Sequence, residues 1–314
     1  MSKRQVNKIF YYWILLVAIV ALIGKISVAA TPDAGRTAAD FLQVGIGARA
    51  SGMGGAFTAM ADGVDAPYWN PAGAAGLEYK EFNIGHFSWY QDISLNHGSF
   101  AMPLTQSVGL ALSATFVNYG KIEGYDQFGS STGDLNAGDW AAGVTVGAEI
   151  TEQFRAGITG KYINQKLADI SASGFAADFG VSLQVSKFNF AATAANIGTP
   201  MKFETVSEKL PAAVRFGIAY APAQSLVAGS IEVEKKLYGD IVTRQGLELR
   251  FNNQYFLRSG ISFYPGQGDY RSMKTGYALG AGIELKAMRI DYAFTPSSDL
   301  SADDLHRFSL GFKF

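Results

Sequence analysis

The 314-residue chain contains no cysteine, which removes disulfides, thiolate metal sites, cysteine nucleophiles and a lipid-bearing cysteine in one step. It has 3 histidines, and His306 lies too far in sequence from His86 and His97 for a three-histidine metal site to be argued. Neither sign of charge dominates, with 26 Lys and Arg against 27 Asp and Glu. Beyond the first thirty residues no apolar run approaches the ~20 residues that a membrane-spanning helix needs. What the chain does have is 48% hydrophobic residues, 36 Gly, 22 Phe and 15 Tyr. Glycine at over a tenth of all residues exceeds the usual ~7%, as expected of a barrel whose inward side chains share a crowded lumen.

The apolar run at the amino terminus extends from Ile9 to Ile23, follows Lys3, Arg4 and Lys8, and precedes Ser27-Val28-Ala29-Ala30. This order reads as a secretory signal over residues 1–30, cleaved near Ala30. Gly24 and Lys25 stop the run short of a spanning anchor. Removing residues 1–30 takes away Lys3, Arg4, Lys8 and Lys25 and no acid, so 26 basic residues against 27 acidic become 22 against 27. The resulting negative balance argues against a nucleic-acid partner.

The rest of the chain alternates. Phe308, Leu310, Phe312 and Phe314 share one face of the last segment, and Arg307, Ser309, Gly311 and Lys313 the other. The same period recurs in Trp140 to Ile150, Val214 to Tyr220, Tyr277 to Lys286 and Met288 to Thr295. Such runs number about 14, each roughly ten residues long, the length of a tilted membrane strand. Short links at 103–107, 151–153, 186–187, 221–224, 252–255 and 286–287 interleave with longer ones at 120–138, 165–174, 197–211, 236–244, 265–274 and 296–305, and only the first hairpin, around Gln91 and Asp92, is short where a long loop is due. Turns on one side and loops on the other are what an outer-membrane barrel shows. The expectation is therefore an all-β protein, a transmembrane antiparallel β-barrel over residues 80–314 with outer-membrane lipid around it. Phe308, Leu310, Phe312 and Phe314 would be its signal to the barrel-assembly machinery. A soluble β-sandwich would need every one of these apolar faces buried in protein.

Residues 31–79 do not alternate. Their small residues, and Asn70-Pro71 with Gly73 as a fixed turn, suit a compact plug inside the barrel. Ala48-Arg49 through Met53-Gly54-Gly55-Ala56-Phe57, then Ala61-Asp62, then Trp69-Asn70-Pro71-Ala72-Gly73 resemble the opening of PorV/PorQ proteins, part of the wider FadL-like group of outer-membrane barrels. The resemblance implies a fourteen-stranded barrel with an internal hatch, in which Arg49, Gly54, Gly55, Asp62, Trp69, Asn70 and Pro71 are the residues of interest. It implies two functions. PorV-type members serve type IX secretion with secretion-system components and exported cargo proteins as partners. FadL-like members instead pass hydrophobic small molecules.

No catalytic residue, metal site or cofactor is expected. Gly45-x-Gly47-x-x-Ala50 matches a dinucleotide fingerprint but lacks the preceding strand and following βαβ unit. His86 and His97, equidistant from a tip at Gln91 and Asp92, suggest a polar pair in the lumen rather than a general base, since no nucleophile elbow or orienting acid accompanies them. The inward charges Glu149, Arg155, Lys161, Asp178, Arg215, Glu232, Glu234, Glu248, Arg250, Glu284, Arg289, Asp291 and Arg307 are mixed in sign. A general diffusion pore could use such a lining; the reading preferred is that they pin the plug through ion pairs, with Arg36, Arg49, Asp62 and Asp65 as partners on the plug side.

Overall fold

A computed structural model describes residues 37–88, 93–222, 224–266, 269–296 and 304–314, without the side chains of 265–273. The expected signal over 1–30, Arg36, and the tip at Gln91 and Asp92 lie outside these residues. Within them, fourteen strands form one closed antiparallel barrel. They are β1 (Glu81–Ser88), β2 (Ser94–Pro103), β3 (Val108–Asn118), β4 (Ala137–Glu149), β5 (Phe154–Leu167), β6 (Ile170–Val185) and β7 (Phe188–Gly198). The second half is β8 (Ala213–Tyr220), β9 (Val227–Lys236), β10 (Ile241–Phe251), β11 (Tyr255–Gly266), β12 (Asp269–Leu285), β13 (Met288–Thr295) and β14 (Leu305–Lys313). Each strand pairs with its chain neighbours, and β14 closes on β1 with Glu81 opposite Lys313 and Ser88 opposite His306.

The alternation sorts side chains as the sequence implies. On β4, Asp139, Ala141, Gly143, Thr145 and Gly147 are buried while Val144 and Val146 are exposed. On β8, Arg215, Gly217 and Ala219 are buried while Phe216 and Ile218 are exposed. Exposed Phe and Leu on one face, with buried Thr, Glu and Arg on the other, is the inverse of a water-soluble sheet. It is the arrangement of a transmembrane barrel, apolar towards lipid and polar inward. Phe308 and Phe312 are likewise exposed, and Phe314 exchanges both main-chain hydrogen bonds with Lys80, at 3.0 and 2.9 Å.

The turn end holds both ends of the barrel and its tight connections. The loop end carries two small hairpins, Ile122–Tyr125 with Ser131–Leu135 and Met201–Phe203 with Val206–Glu208. Three of the expected long links are not loops. Strands β5 and β6 run on as a hairpin to Leu167 and Ile170, β9 and β10 to Lys236 and Ile241, and β11 and β12 to Gly266 and Asp269. Polar residues there are still paired as strand, because pairing outlasts the apolar belt that makes strands visible in a sequence.

The segment before the barrel threads the interior from one end to the other. Thr37 makes a parallel bridge to Lys209 at the loop end, and the chain leaves at Lys80, at the turn end. Between them lie short helical turns at Asp40–Gln43, Ala48–Gly52, Gly63–Asp65, Ala66–Trp69 and Pro71–Ala74. Phe41, Leu42 and Ile46 join Phe87, Leu95, Val117, Ile163, Met201 and Leu210 in a buried apolar cluster. Phe87, Leu95, Val117 and Ile163 come from the loop-end halves of their strands and Met201 and Leu210 from the link between β7 and β8, so that end is packed with hydrocarbon.

Candidate functional site

Pro71 fixes its own φ and biases the residue before it towards extended backbone. Asn70 accordingly has φ −161° and ψ 109° and caps the turn Pro71–Ala74, its Oδ1 accepting the Ala72 N–H at 3.1 Å. Its Nδ2 donates to the carbonyls of Thr58 within the segment and Val181 on β6, both at 3.2 Å. A residue 2% exposed therefore uses its acceptor to fold the turn and its donors to tie it to the wall. The turn lies on bare strand backbone. A β-carbon on Gly157 would collide with the Pro71 carbonyl, one on Gly147 would come 2.6 Å from Ala75 N, and one on Gly180 would meet the Asn70 side chain. Three adjacent strands, β4, β5 and β6, give up their side chains where this turn sits.

The opposite side is held by charge. Gly54 and Gly55, at φ +65° and +78°, reverse the chain after the helical turn Ala48–Gly52, a conformation that costs other residues dearly. The reversal brings Met53 and Gly54 onto Gly246 and Gly260 of β10 and β11. Glu232 of β9 then accepts the N–H groups of Phe57 and Thr58 at 3.1 and 2.9 Å. Arg49 bridges Glu248 of β10 at 3.3 Å and Asp62 at 3.2 Å. Burial opposes the Arg49 charge, but Glu248 and Asp62 outweigh it and hold the guanidinium protonated.

Most of the ion pairs lie within the wall, although Arg215 also donates to the Tyr68 carbonyl of the segment at 3.4 Å. Arg155–Glu149 and Lys161–Asp178 close at 2.5 Å, Arg215–Glu234 at 2.8 Å, Arg258–Glu248 at 2.7 Å, Arg258–Asp291 at 2.8 Å and Arg289–Asp291 at 2.7 Å. All of these join wall to wall. Among the described residues, Arg49–Glu248 is the one ion pair between segment and wall. The expectation that mixed charges pin the segment through ion pairs is thus corrected. Most of the wall charges satisfy one another, and the segment is fixed mainly by carboxylate-to-backbone bonds and glycine contacts. Arg244, which binds Glu232 and Glu234 at 3.1 and 3.2 Å, and Arg258 are not among the inward charges expected from the sequence, because the polar neighbours Thr243, Gln245 and Ser259 blur the alternation there.

Trp69 is buried, but its ring lies edge-on against Phe57 and Tyr68 at 5.7 and 4.9 Å, and its Nε1 donates to the Ile46 carbonyl at 3.0 Å. It braces the segment internally and also meets the wall, with the Arg215 guanidinium of β8 5.6 Å from its ring and Ala191, Ala219 and Ala228 in the same buried cluster. Asp62 is exposed, 71% by side chain. Asp65 has no ion-pair partner within reach among the described residues. Burial, with Asp62 repelling and Arg49 and Arg289 attracting, pushes its carboxyl up to about 7. The two histidines do not form a pair. His86 opposes Asn96, and Gly85 opposes His97, so the rings point to opposite faces: His86 out, bonded to Asn96, and His97 in, bonded to Thr115. Gly45 and Gly47 serve packing against Trp69 and Asp65.

Among the described residues, two sizeable cavities lie beside the segment. One of about 90 Å³ faces the turn end among Asp65, Glu81, Arg289 and Lys313, and one of about 150 Å³ lies beside Tyr68, Trp69 and Arg307.

A family model described as an uncharacterised protein family, UPF0164, matches residues 16–314. The chain belongs to that family. No curated relative matches it in sequence. Among solved structures, the CymD monoaromatic hydrocarbon channel aligns with a TM-score of 0.63 at 12% identity, over 86% of this chain and 98% of that one. The Pseudomonas putida toluene transporter TodX aligns with a TM-score of 0.63 at 11% identity, over 86% and 97%. A Pseudomonas aeruginosa FadL homologue aligns with a TM-score of 0.54 at 10% identity, over 92% and 99%. At these identities the likeness establishes the fold, a FadL-like barrel, for this UPF0164 chain.

Proposed function

We propose that this UPF0164 protein is an outer-membrane channel for small hydrophobic compounds, non-enzymatic, and shut in the described state by the segment 37–79. The observation that carries the reading is an interior segment fixed to a ring of strands inside a barrel of the fold shared with two hydrocarbon carriers. With the segment seated, a general diffusion pore for hydrophilic solutes has no room, so passage requires the segment or the wall to give. The loop end, with its apolar cluster of Phe41, Leu42, Phe87 and Leu95, is assigned to the cell exterior, and the turn end to the periplasm. Lipid contacts the exposed aromatic face, and the assembly machinery reads the strand that ends on Phe314.

A second reading, export and surface delivery of proteins with type IX components and their cargo, rests on the PorV/PorQ-like residues Ala48 to Phe57 and Trp69 to Gly73. The similar solved structures favour the channel. Deletion of the gene separates the two. The channel reading expects slower uptake of labelled toluene or long-chain fatty acid, restored by the parent gene, with exported proteins processed normally. Unchanged uptake with unprocessed secretion substrates held in the periplasm overturns it in favour of export.

A further inference from the structure

We propose that the cavity beside Tyr68 and Trp69 is a binding site for a small organic monocarboxylate whose body is about the size of one aromatic ring. The argument starts from charge. Three guanidinium groups line this cavity, Arg215, Arg244 and Arg307, together with one carboxylate, Glu234. Glu234 is already taken by Arg215 at 2.8 Å and Arg244 at 3.2 Å, and Arg244 also reaches Glu232 at 3.1 Å. Arg307 has no carboxylate within ion-pair distance among the described residues. Its Nη1 donates to Thr295 Oγ1 at 3.2 Å, its plane lies 4.0 Å from the Phe87 ring centroid, and its Nε is buried without a hydrogen-bond partner.

A guanidinium in such a place has lost water and gained no counter-charge, which is costly unless an anion completes it. Its planar fork matches a carboxylate, which can accept two parallel N–H bonds. Asp139, the other buried wall charge without an ion pair, is satisfied by Tyr119 and Gln165 at 2.7 Å each, so among the described residues Arg307 stands out as the cavity-lining charge left without a counter-charge. Position agrees. Arg307 is near the loop end of β14, Thr295 closes β13 at the same end, and Gln43 lines the cavity from the first turns of the segment. A ligand entering from the loop end meets this site before the seat of the Pro71 turn.

Size limits the rest of the ligand. The cavity is about 150 Å³, and ~150 Å³ is the volume that holds one benzene ring in an engineered protein core. Tyr68 and Trp69 supply flat aromatic walls for such a body, and the hydroxyl of Ser262 and the amide of Gln43 supply further polar groups. The site goes beyond the channel reading and does not depend on it, because binding to the closed protein requires no transport.

The test is equilibrium binding to the detergent-solubilised, folded protein by isothermal titration calorimetry, with sodium benzoate as probe and benzyl alcohol and chloride as controls. Benzoate is expected to bind one to one, at least tenfold tighter than either control. Arg307→Gln keeps the reach to Thr295 without the charge and should weaken benzoate at least tenfold while leaving benzyl alcohol unchanged. Ala278→Leu, on the cavity wall, should abolish benzoate binding with Arg307 intact, and heat-modified gel migration verifies folding of both variants. Equal affinity for benzoate and benzyl alcohol, no benzoate binding to the parent, or parent-like affinity in either variant overturns the site. Failure of hydrocarbon uptake would overturn the channel and leave this result standing.

Discussion

Where the Pro71 turn meets β4, β5 and β6, main chain lies on main chain; where Arg49 to Thr58 meets β9 and β10, the contact runs through carboxylates and a guanidinium. The first seat depends on atoms that are missing, so it tolerates no addition. The second depends on atoms that are present, so it tolerates no removal. Opposite substitutions therefore test the two seats, and each leaves the other seat as an internal control.

The largest effect is expected from Gly157→Val. Its branched side chain would enter the space of the Pro71 carbonyl and of Ala72 N, both main chain and unable to swing aside. Overpacking by even one methylene costs about 1–3 kcal/mol, and here the turn must leave. The barrel should still assemble, judged by faster migration of the unheated sample on a gel, and planar bilayers should show single-channel conductance that is near absent in the parent. A closed Gly157→Val channel breaks the account of the neutral seat.

Next comes Glu232→Ala. This strands two backbone donors in a site where Glu232 is 0% exposed and leaves Arg244 with Glu234 alone, and each buried donor left unsatisfied costs about 1–3 kcal/mol. A lowered thermal midpoint in detergent checks it. Glu232→Gln, which retains one acceptor oxygen, should recover part of the loss; equal losses would show that charge alone matters there.

The joint substitution of Asn70 and Trp69 by Ala should act less on stability and more on permeability. Asn70 loses three bonds at about 1 kcal/mol each, but the strands pair without it. Raised entry of small hydrophilic solutes with normal assembly is expected. Failure to insert would mean that the segment belongs to the folding core.

Asp65→Asn is the smallest. The Asp65 carboxyl is raised to about 7 in the folded protein from ~3.9 unfolded, so the folded state binds the extra proton and stability falls as pH rises between those values. Asn removes this loss. The variant should melt a few degrees above the parent at pH 8 and level with it at pH 4, and a pH-independent difference would show that Asp65 does not carry the charge.

The neutral and charged seats were not equally legible in the sequence. Strand number, facing and closure were readable because lipid outside and polar groups inside force a strict period of two, as on β4 and β8. Asn70-Pro71 announced its own turn through backbone restriction. Gly147, Gly157 and Gly180 were visible only as small inward residues, since nothing in a linear pattern tells a glycine that makes room for water from one that makes room for another backbone. The wall ion pairs were readable as mixed charge, but their partners depend on stagger between strands, which alternation leaves open. The His86 and His97 pairing failed for the same reason: one residue of register moves a side chain to the other face.

The interior thread has a consequence for the order in which the molecule is put together. It is tied at both mouths, by Thr37 to Lys209 and by Lys80 to Phe314. All other neighbouring strands are consecutive barrel strands along the chain, whereas the β1–β14 seam joins Glu81 to Lys313 and carries the greatest loop-closure cost. A thread fixed at both mouths cannot be drawn through a finished cylinder without undoing one of its ties. A chain that closed this seam first would have to pass residues 37–79 in through the turn-end mouth before Thr37 could reach Lys209.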